Sequence, residues 1–198
     1  MILQNSKLQM PLVFTILLIS HLIIISTATA QQPQNQDHQL GGASTANVHP
    51  FHASLSREFL DAHNKVRAHA GEPLFTWDNH LARYARRYAS LRSQDCQMVH
   101  SSGPYGENIF WGATNHWTPT DAVRAWTHEH RFYDRTANTC ESGRVCGHYT
   151  QIVWRDSTRL GCAYARCLNG GVFVVCTYDP PGNYVNERPF GDGSDGDN

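Results

Sequence analysis

Hydrophobic and polar positions alternate with a period of two between Gly147 and Trp154. This period, together with the β-branched and aromatic residues of the segment, predicts a strand. A histidine opens the segment and Gln151 lies among apolar residues, although a buried polar group costs free energy unless it is hydrogen-bonded. We therefore interpret the segment as the floor of a polar site. The alternative is a plain strand whose histidine is either hydrogen-bonded in the core or exposed at the surface.

Apolar residues at helical spacing predict a first helix that is capped by Ser56 and ends before Gly71. His63 falls at the edge of its apolar face, next to Asn64. We expect these two residues to be buried hydrogen-bonding residues with a structural role.

Two further helices follow the same spacing rule. The second begins at the cap Asp78 and runs to about Leu91, and the third begins at Thr118 and covers residues 122–133. The second helix has basic residues that mostly face outward, which indicates a solvated face, with contact to anionic lipid as the alternative. These residues are Arg83, Arg86, Arg87 and Arg92.

The C-terminal part of the chain is typical of a β-hairpin. Leu160–Cys167 and Val172–Tyr178 are predicted strands, joined by a glycine-rich turn that starts at Asn169. Cys162 and Cys176 are equidistant from Asn169. We therefore expect them to lie opposite each other and to form a disulfide.

The chain has six cysteines, and an even number indicates three disulfides in an oxidising compartment. No C-x-x-C pair is present to favour a zinc site. Cys140 and Cys146 would close a short loop. Cys96 and Cys167 would tie the loop that carries His100 to the hairpin. Six cysteines allow fifteen connectivities, so these pairs are an inference from spacing.

The N-terminal residues are interpreted as a signal peptide, residues 1–30. Lys7 precedes an apolar run at residues 11–25, and Ala28 and Ala30 form an A-x-A cleavage site. A transmembrane anchor is the alternative, but the uninterrupted apolar run is short for a span of about 20 residues.

The remaining 168 or so residues suit one domain with short appendages. We expect a flexible tail at residues 31–54, the domain at residues 55–190 and a disordered tail at residues 191–198, on the basis of polar, glycine-rich composition. The formal net charge of −1 gives no reason to expect a nucleic-acid partner.

Four polar residues stand out as candidates for a site. Two imidazoles and two carboxylates can satisfy one another, each carboxylate fixing a histidine tautomer. Two histidines with a water can also hold a divalent metal such as zinc, although a stable zinc site normally takes a third protein ligand. The four residues are His100 and Glu107 in a predicted loop, Glu129 on the third helix and His148 on the Gly147–Trp154 segment, with His100 and His148 as the candidate metal ligands.

Four segments carry a resemblance to a known family: Gly147–Trp154, Val174–Tyr184, His63–Asn64 and Gly106–Ile109. They resemble the signature motifs of the CAP superfamily, which comprises cysteine-rich secretory, antigen 5 and pathogenesis-related proteins. The cysteine layout and the ending Arg188–Phe190 are similar to those of the plant group-one pathogenesis-related proteins. The resemblance covers about residues 55–190.

The resemblance implies an α+β fold, a three-layer α-β-α sandwich with a central, mainly antiparallel sheet that is stapled by three disulfides. It also suggests the three cysteine pairs given above. It implies that the four polar residues form the tetrad of a cleft, that no cofactor is required, and that the protein is secreted to the extracellular space, in the apoplast or cell wall.

Three functions follow as hypotheses. The first is a defence-related antimicrobial module that binds a sterol or other lipid, acts on a microbial membrane or a receptor, and is monomeric. The second is a zinc-dependent hydrolase with Glu107 or Glu129 as general base, although no nucleophile motif is present. For the lipid-binding module, aromatic residues would supply the apolar wall of the lipid site, and the alternative is that they are ordinary core residues. These residues are Trp111, Trp117, Trp126 and Tyr133.

The third hypothesis, also implied by the resemblance, is a precursor of a C-terminal signalling peptide. The matching cut would fall between Asp179 and Pro180. Two departures weaken this idea: Thr177 stands where plant members usually have asparagine, and glycine and aspartate residues follow Phe190. We therefore favour the lipid-binding module.

Overall fold

The structure is a computed structural model that describes residues 50–191, and side chains from Ser54 onward. The predicted signal peptide, residues 31–49 and residues 192–198 lie outside this range. Within this range, no helix combines the length and the hydrophobicity that a transmembrane span needs. The elements are helices α1 (Pro50–Ala70), α2 (Asn79–Arg92), α3 (Pro119–Thr127) and α4 (Gly147–Ile152), a 3₁₀ helix (His128–Phe132), and strands β1 (Thr76–Trp77), β2 (Gly106–Gly112), β3 (Tyr133–Asp134), β4 (Thr139–Cys140), β5 (Arg159–Arg166) and β6 (Val172–Asp179).

Four strands form the central sheet in the order β1-β5-β6-β2. β5 and β6 form the predicted antiparallel hairpin, and β2 pairs with the other edge of β6, also antiparallel. The two-residue strand β1 is parallel to β5. The sheet is therefore mixed but mainly antiparallel, as predicted. β3 and β4 form a separate two-stranded ribbon.

Alternate residues of β6 face opposite layers of helices. Val174 and Tyr178 belong to a core cluster that also contains side chains of α1, α3 and α4. Phe173 and Val175 belong to a second cluster, with α2. Every residue from Val172 to Tyr178 is buried, as a strand covered on both faces requires. The predicted α-β-α sandwich is confirmed.

Capping residues set the helix ends much as the sequence indicates. The carboxylate of Asp78 accepts hydrogen bonds from the first backbone N–H groups of α2. Thr118 and Asp121 form a reciprocal capping box at the start of α3. α1 ends before Gly71, whose φ of 77° lies in the left-handed region that favours glycine.

Two helix boundaries differ from the prediction. α1 begins at Pro50 rather than at Ser56, so the tail predicted up to residue 54 ends earlier. The third helix ends at Thr127 and continues as a tighter 3₁₀ helix and then β3, instead of running to residue 133. Boundaries are hard to predict because capping and tertiary contacts, rather than periodicity, decide them.

The strand predicted at Gly147–Trp154 is wrong, because the segment forms the short helix α4 and its C-terminal turn. Residues 150–154 are all buried, so the alternation of residue types does not correspond to a buried and an exposed face. Partners outside the segment stabilise the helix. The Glu129 carboxylate accepts two backbone N–H groups at its start, and the Arg67 guanidinium donates to two carbonyls at its end. This arrangement matches the helix dipole.

Three disulfides form in the predicted pairs. Cys162–Cys176 joins directly opposed residues of β5 and β6. Cys140–Cys146 closes the loop that leads from β4 into α4. Cys96–Cys167 anchors the loop after α2 to the end of β5. The loop that carries His100 is therefore covalently tied to the sheet.

Candidate functional site

His100 and Glu107 form the first of two histidine–carboxylate pairs. His100 lies in the loop after α2, whereas Glu107 lies on β2 and not in the predicted loop. Nδ1 of His100 is 2.7 Å from Oε1 of Glu107, which also accepts the backbone N–H of Ser101 at 2.9 Å. Oε2 of Glu107 is buried and has no hydrogen-bond partner in the described part of the chain. Since buried polar atoms are rarely unpaired, this oxygen can accept a further hydrogen bond.

Glu129 and His148 form the second pair. Oε1 of Glu129 lies 2.6 Å from Nδ1 of His148, and Oε2 accepts the backbone N–H groups of His148 at 2.9 Å and Tyr149 at 3.2 Å. Because a carboxylate only accepts, Nδ1 carries the proton and Nε2 remains available. The His148 ring lies nearly parallel to that of Trp126, with ring centroids 6.3 Å apart.

A buried chain of hydrogen bonds links the second pair to α1. Nδ2 of Asn108 donates to the backbone carbonyl of His148 at 3.0 Å and to the hydroxyl of Tyr178 at 3.1 Å. The Tyr178 hydroxyl donates to Nε2 of His63 at 2.9 Å, and Nδ1 of His63 donates to the carbonyl of Phe59 at 2.8 Å. Asn108 directly follows Glu107, so this chain starts between the two histidine–carboxylate pairs.

Burial shifts the pKa of both aromatic members of this chain. It lowers the pKa of His63 to about 4 and raises the pKa of Tyr178 well above its usual value, because burial disfavours the charged form. Both groups are therefore neutral near pH 7.

Asn64 forms two hydrogen bonds with the backbone of Phe75. Its Nδ2 donates to the carbonyl of Phe75, and its Oδ1 accepts the N–H of Phe75. The contacts of His63 and Asn64 agree with the predicted structural role.

Each of the two histidine–carboxylate pairs has the chemistry that supports a metal-bound imidazole, and the joining of the two pairs in one tetrad stays a prediction. Each Nδ1 is held by a carboxylate, which is the usual arrangement behind a metal-bound imidazole and leaves Nε2 as the ligand atom. Bound zinc would polarise a water or carbonyl group there. Within residues 50–191, three ligand atoms converge only at His63 and the two cysteines of a disulfide, which offer no thiolate. A zinc site formed by His100 and His148 therefore stays a prediction, and it would need a further ligand such as water.

Gln151, the polar anomaly of the Gly147–Trp154 segment, has a structural explanation. Its Oε1 accepts the backbone N–H of Gly182 at 3.1 Å, and its Nε2 donates to the hydroxyl of Ser157 at 3.1 Å. A Cβ at Gly106 would lie 2.3 Å from Oε1 of Gln151, so only glycine permits this approach. Gln151 therefore fastens the C-terminal segment to α4.

The aromatic residues predicted as an apolar wall lie in different places. Trp126 is buried in the core and donates to the carbonyl of Ile109 at 3.0 Å. Trp117 packs edge-on against Phe110, and Trp111 is partly exposed on β2. Of the predicted wall residues, Tyr133 lines the groove described next. The four residues therefore do not form one wall, and Trp126 is ordinary core, as the alternative interpretation expects.

A groove of about 470 Å³ lies between the Cys140–Cys146 loop, the start of α4 and the C-terminal segment. Gly147 and Thr150 line it, so the groove and the His148–Glu129 pair share α4. Its remaining lining combines aromatic, aliphatic and polar side chains. These residues are Tyr133, Asn138, Cys140, Arg144, Val145, Cys146, Trp154, Asn183, Tyr184, Asn186, Glu187 and Pro189.

Sequence reasoning missed two features of this region. Asn108 was not recognised as a connecting residue, although its place beside Glu107 in the Gly106–Ile109 motif was an available signal. The position and lining of the groove were not predicted, because its walls come from segments far apart in sequence and no local pattern marks them.

The bond between Asp179 and Pro180 lies at the end of β6. The carbonyl of Asp179 accepts the backbone N–H of Thr158 at 3.2 Å. The carbonyl of Pro180 accepts the hydroxyl of Ser157 at 2.7 Å. Hydrogen bonds therefore hold the chain on both sides of the predicted cut.

Comparisons with known proteins agree with the motifs and the geometry. The model of the cysteine-rich secretory protein family, CAP, matches residues 60–178. Pathogenesis-related protein 1C of Nicotiana tabacum is 50% identical over 143 residues, which cover 72% of this chain and 85% of that protein. Pathogenesis-related protein PRMS of Zea mays is 46% identical over 151 residues, which cover 75% of this chain and 90% of that protein.

Solved structures support the same fold. The crystal structure of NaASP2 with Zn²⁺ matches with a TM-score of 0.59 and 24% identity, over 70% of this chain and 86% of that chain. At that identity the likeness concerns the fold. Taken with the family match and the plant homologues, it leads to one conclusion: the chain belongs to the CAP family of cysteine-rich secretory proteins, and its homologues at about 50% identity are plant pathogenesis-related proteins of group one.

Proposed function

We propose that this chain is a secreted plant defence protein whose domain binds a sterol or another lipid in the groove and thereby acts against a microbe. The apolar run at residues 11–25, the disulfides and the family support secretion to the extracellular space. The observation that carries the proposal is the groove beside α4. Its volume of about 470 Å³ lies in the range of small-molecule sites.

The groove has the mixed character that a sterol requires. Tyr133, Trp154 and Val145 offer apolar surface, whereas Arg144 and Asn186 offer polar groups. A sterol is a rigid hydrocarbon with one hydroxyl, so its body would bury apolar surface while the hydroxyl reaches a polar side chain.

The histidine–carboxylate pairs have a supporting part in this proposal. Glu129 binds the first backbone N–H groups of α4, and Gly147 and Thr150 of the same helix line the groove. The His148–Glu129 pair would therefore hold one wall in place, with zinc as an optional ligand and not a required cofactor.

Equilibrium binding of a radiolabelled sterol to the purified, oxidised mature protein tests the proposal. We expect saturable binding that is the same with added zinc and with a chelator. Binding that requires zinc would show that the tetrad and the groove are coupled. Failure to bind any member of a sterol panel would contradict the proposal.

A matched pair of variants locates the bound sterol. Val145 lines the groove and is 60% exposed, whereas Val185 is 87% exposed and does not line it. Val145→Asp should weaken sterol binding about tenfold, because it replaces a side chain whose burial stabilises the complex by about 1.5 kcal/mol. Val185→Asp should leave the affinity unchanged. Equal affinities of the two variants would place the sterol elsewhere.

Release of a C-terminal peptide by a cut after Asp179 is the second candidate function. The hydrogen bonds on both sides of the Asp179–Pro180 bond, together with the burial of Phe190 in the core, indicate that a protease would need local unfolding first. Mass spectrometry of the secreted protein from challenged tissue tests this function, which predicts a fragment that begins at Pro180.

A zinc-dependent hydrolase is the third candidate. Its general base would be Glu107 or Glu129, but each carboxylate already accepts the Nδ1–H of a histidine. This contact suits a positioning group better than a base. We therefore propose a binding protein rather than an enzyme, acting as a monomer on a microbial membrane or a receptor.

A further inference from the structure

The outer surface of α2 carries arginines without acidic partners. The helix contains four arginines and no aspartate or glutamate. Arg92 pairs with Asp95 at 3.1 Å, whereas Arg83, Arg86 and Arg87 are exposed and form no ion pair with any other residue between positions 50 and 191. Arg83 and Arg87 are four residues apart, where like charges repel. An anionic partner would remove that repulsion.

Exposed aliphatic side chains lie beside these charges. Leu91 follows Arg83 and Arg87 at the same four-residue spacing and is 59% exposed. Met98 and Val99, in the loop after α2, are 49% and 48% exposed. Large aliphatic side chains that cluster on a surface mark an interaction site more often than scattered ones do.

The loop that presents Val99 is held firmly against α2. The hydroxyl of Tyr88 donates to the carbonyl of Val99, and that of Tyr84 donates to the hydroxyl of Ser101 at 3.0 Å. The Cys96–Cys167 disulfide anchors its start. The apolar side chains of Met98 and Val99 therefore lie on a segment that is fixed to the rest of the domain.

A shallow pocket of about 220 Å³ joins the basic and the apolar parts of this surface. It is lined by Tyr84, Arg87, Tyr88, Leu91 and Ser101. A guanidinium group at such a place can bind a phosphate, and tyrosine rings favour the boundary between lipid and water. The pocket therefore has the chemistry to receive a phospholipid headgroup.

We propose that α2 and residues 97–101, which together we call the α2 face, dock onto an anionic phospholipid surface. Arg83 and Arg87 bind lipid phosphates, while Leu91, Met98 and Val99 enter the layer below the headgroups. The attraction is local, because the formal net charge of the chain is −1. The aliphatic side chains favour a membrane over a soluble polyanion, which would interact with the charges alone. This proposal does not rest on sterol binding in the groove.

Sedimentation with vesicles tests the α2 face, using the oxidised mature protein and sterol-free lipid. We expect binding to vesicles of phosphatidylglycerol and phosphatidylcholine that weakens at high salt, and little binding to phosphatidylcholine alone. The double variant Arg83→Ala with Arg87→Ala should bind about 25-fold more weakly, since each arginine near an anionic surface contributes about fivefold. The matched control is Arg57→Ala with Arg166→Ala, which removes the same charge from exposed positions outside the α2 face and should bind like the wild type.

A second pair of measurements distinguishes binding to a membrane from binding to a soluble polyanion. Leu91→Ser and Val99→Ser should each weaken vesicle binding several-fold without changing the thermal unfolding of the protein, because both side chains are exposed. Polygalacturonate, a soluble polyanion, should compete poorly. Absence of vesicle binding, or equal loss in the control pair, would overturn the proposal. So would full binding by Leu91→Ser together with tight polygalacturonate binding, which would assign the arginines to a polysaccharide.

Discussion

The hydroxyl of Tyr178 donates a hydrogen bond to Nε2 of His63 at 2.9 Å across 115 positions of sequence. This contact joins α1 to β6 in the core, and Asn108 extends it to the backbone of His148. It requires a neutral imidazole, because a protonated ring would have no lone pair to accept with. The core next to His148 is therefore sensitive to the protonation of His63.

The stability of the domain should fall on acidification because of His63. Its pKa in the folded protein, about 4, lies below the unfolded value of about 6.5, so the unfolded chain binds this proton first. The free energy of unfolding should decrease by about 3 kcal/mol between pH 6.5 and pH 4 and lose nothing further from this group below pH 4. Denaturant unfolding at a series of pH values measures this change.

His63→Gln should be less stable than the wild type at pH 7 but should lack this part of the pH dependence. His80→Gln is the matched control, because His80 is exposed, and it should keep the dependence. An unchanged pH profile in His63→Gln would assign the acid sensitivity to other groups.

Glu129→Ala should destabilise the domain by about 2 kcal/mol. The carboxylate is largely buried and accepts the Nδ1–H of His148 and two backbone N–H groups at the start of α4, and unpaired buried donors are costly. Glu141→Ala, which removes an exposed carboxylate 4.0 Å from Arg144, should change the stability by less than about 0.5 kcal/mol. Thermal unfolding of the two variants provides the comparison, and similar melting temperatures would contradict the capping role.

His148→Ala should abolish binding of zinc while leaving secretion and the disulfides intact. The substitution removes one of two imidazoles whose Nδ1 atoms are held by carboxylates, and a single histidine binds zinc weakly. Isothermal titration with zinc measures the effect, with the exposed His116→Ala as control. Unchanged zinc affinity in His148→Ala would remove the tetrad from the metal hypothesis.

Gly161→Ala should cost about 3 kcal/mol, because α2 approaches the sheet closely at this position. A Cβ on Gly161 would lie 2.2 Å from the backbone nitrogen of Ala82 and 2.5 Å from the carbonyl carbon of Leu81, and overpacking against backbone forces the layers apart. At Gly147 the nearest atom would be 3.8 Å away. Gly147→Ala should therefore leave the free energy of unfolding unchanged or raise it by up to about 1 kcal/mol. An unchanged free energy of unfolding in Gly161→Ala would show that α2 can move away from the sheet at little cost in stability.

Local signals in the sequence predicted the hairpin and the starts of α2 and α3, whereas the three-layer arrangement was implied by the resemblance to the CAP superfamily. The turn that starts at Asn169 sets the hairpin register, and that register places Cys162 opposite Cys176. Asp78 and Thr118 mark helix starts through their side chains. Each of these signals acts within a few residues of the feature that it defines.

The prediction failed where distant residues decide the structure. The segment that forms α4 was predicted as a strand, yet Glu129 and Arg67 bind its two ends from 19 and 85 positions away. Pairing of the two imidazoles with the two carboxylates was expected from the residue types, but the particular partners were not. The position and lining of the groove were not predicted, because its walls meet only after folding.

The C-terminal segment would take part in both ligand binding and peptide release. Asn183, Tyr184 and Pro189 are walls of the groove, and the same residues belong to the peptide that a cut after Asp179 would free. Ligand storage and peptide signalling would therefore compete for one stretch of chain. A ligand bound in the groove would slow cleavage after Asp179. Cleavage would in turn remove part of the groove and release the ligand, so that one cut would free the signalling peptide and inactivate the binding protein.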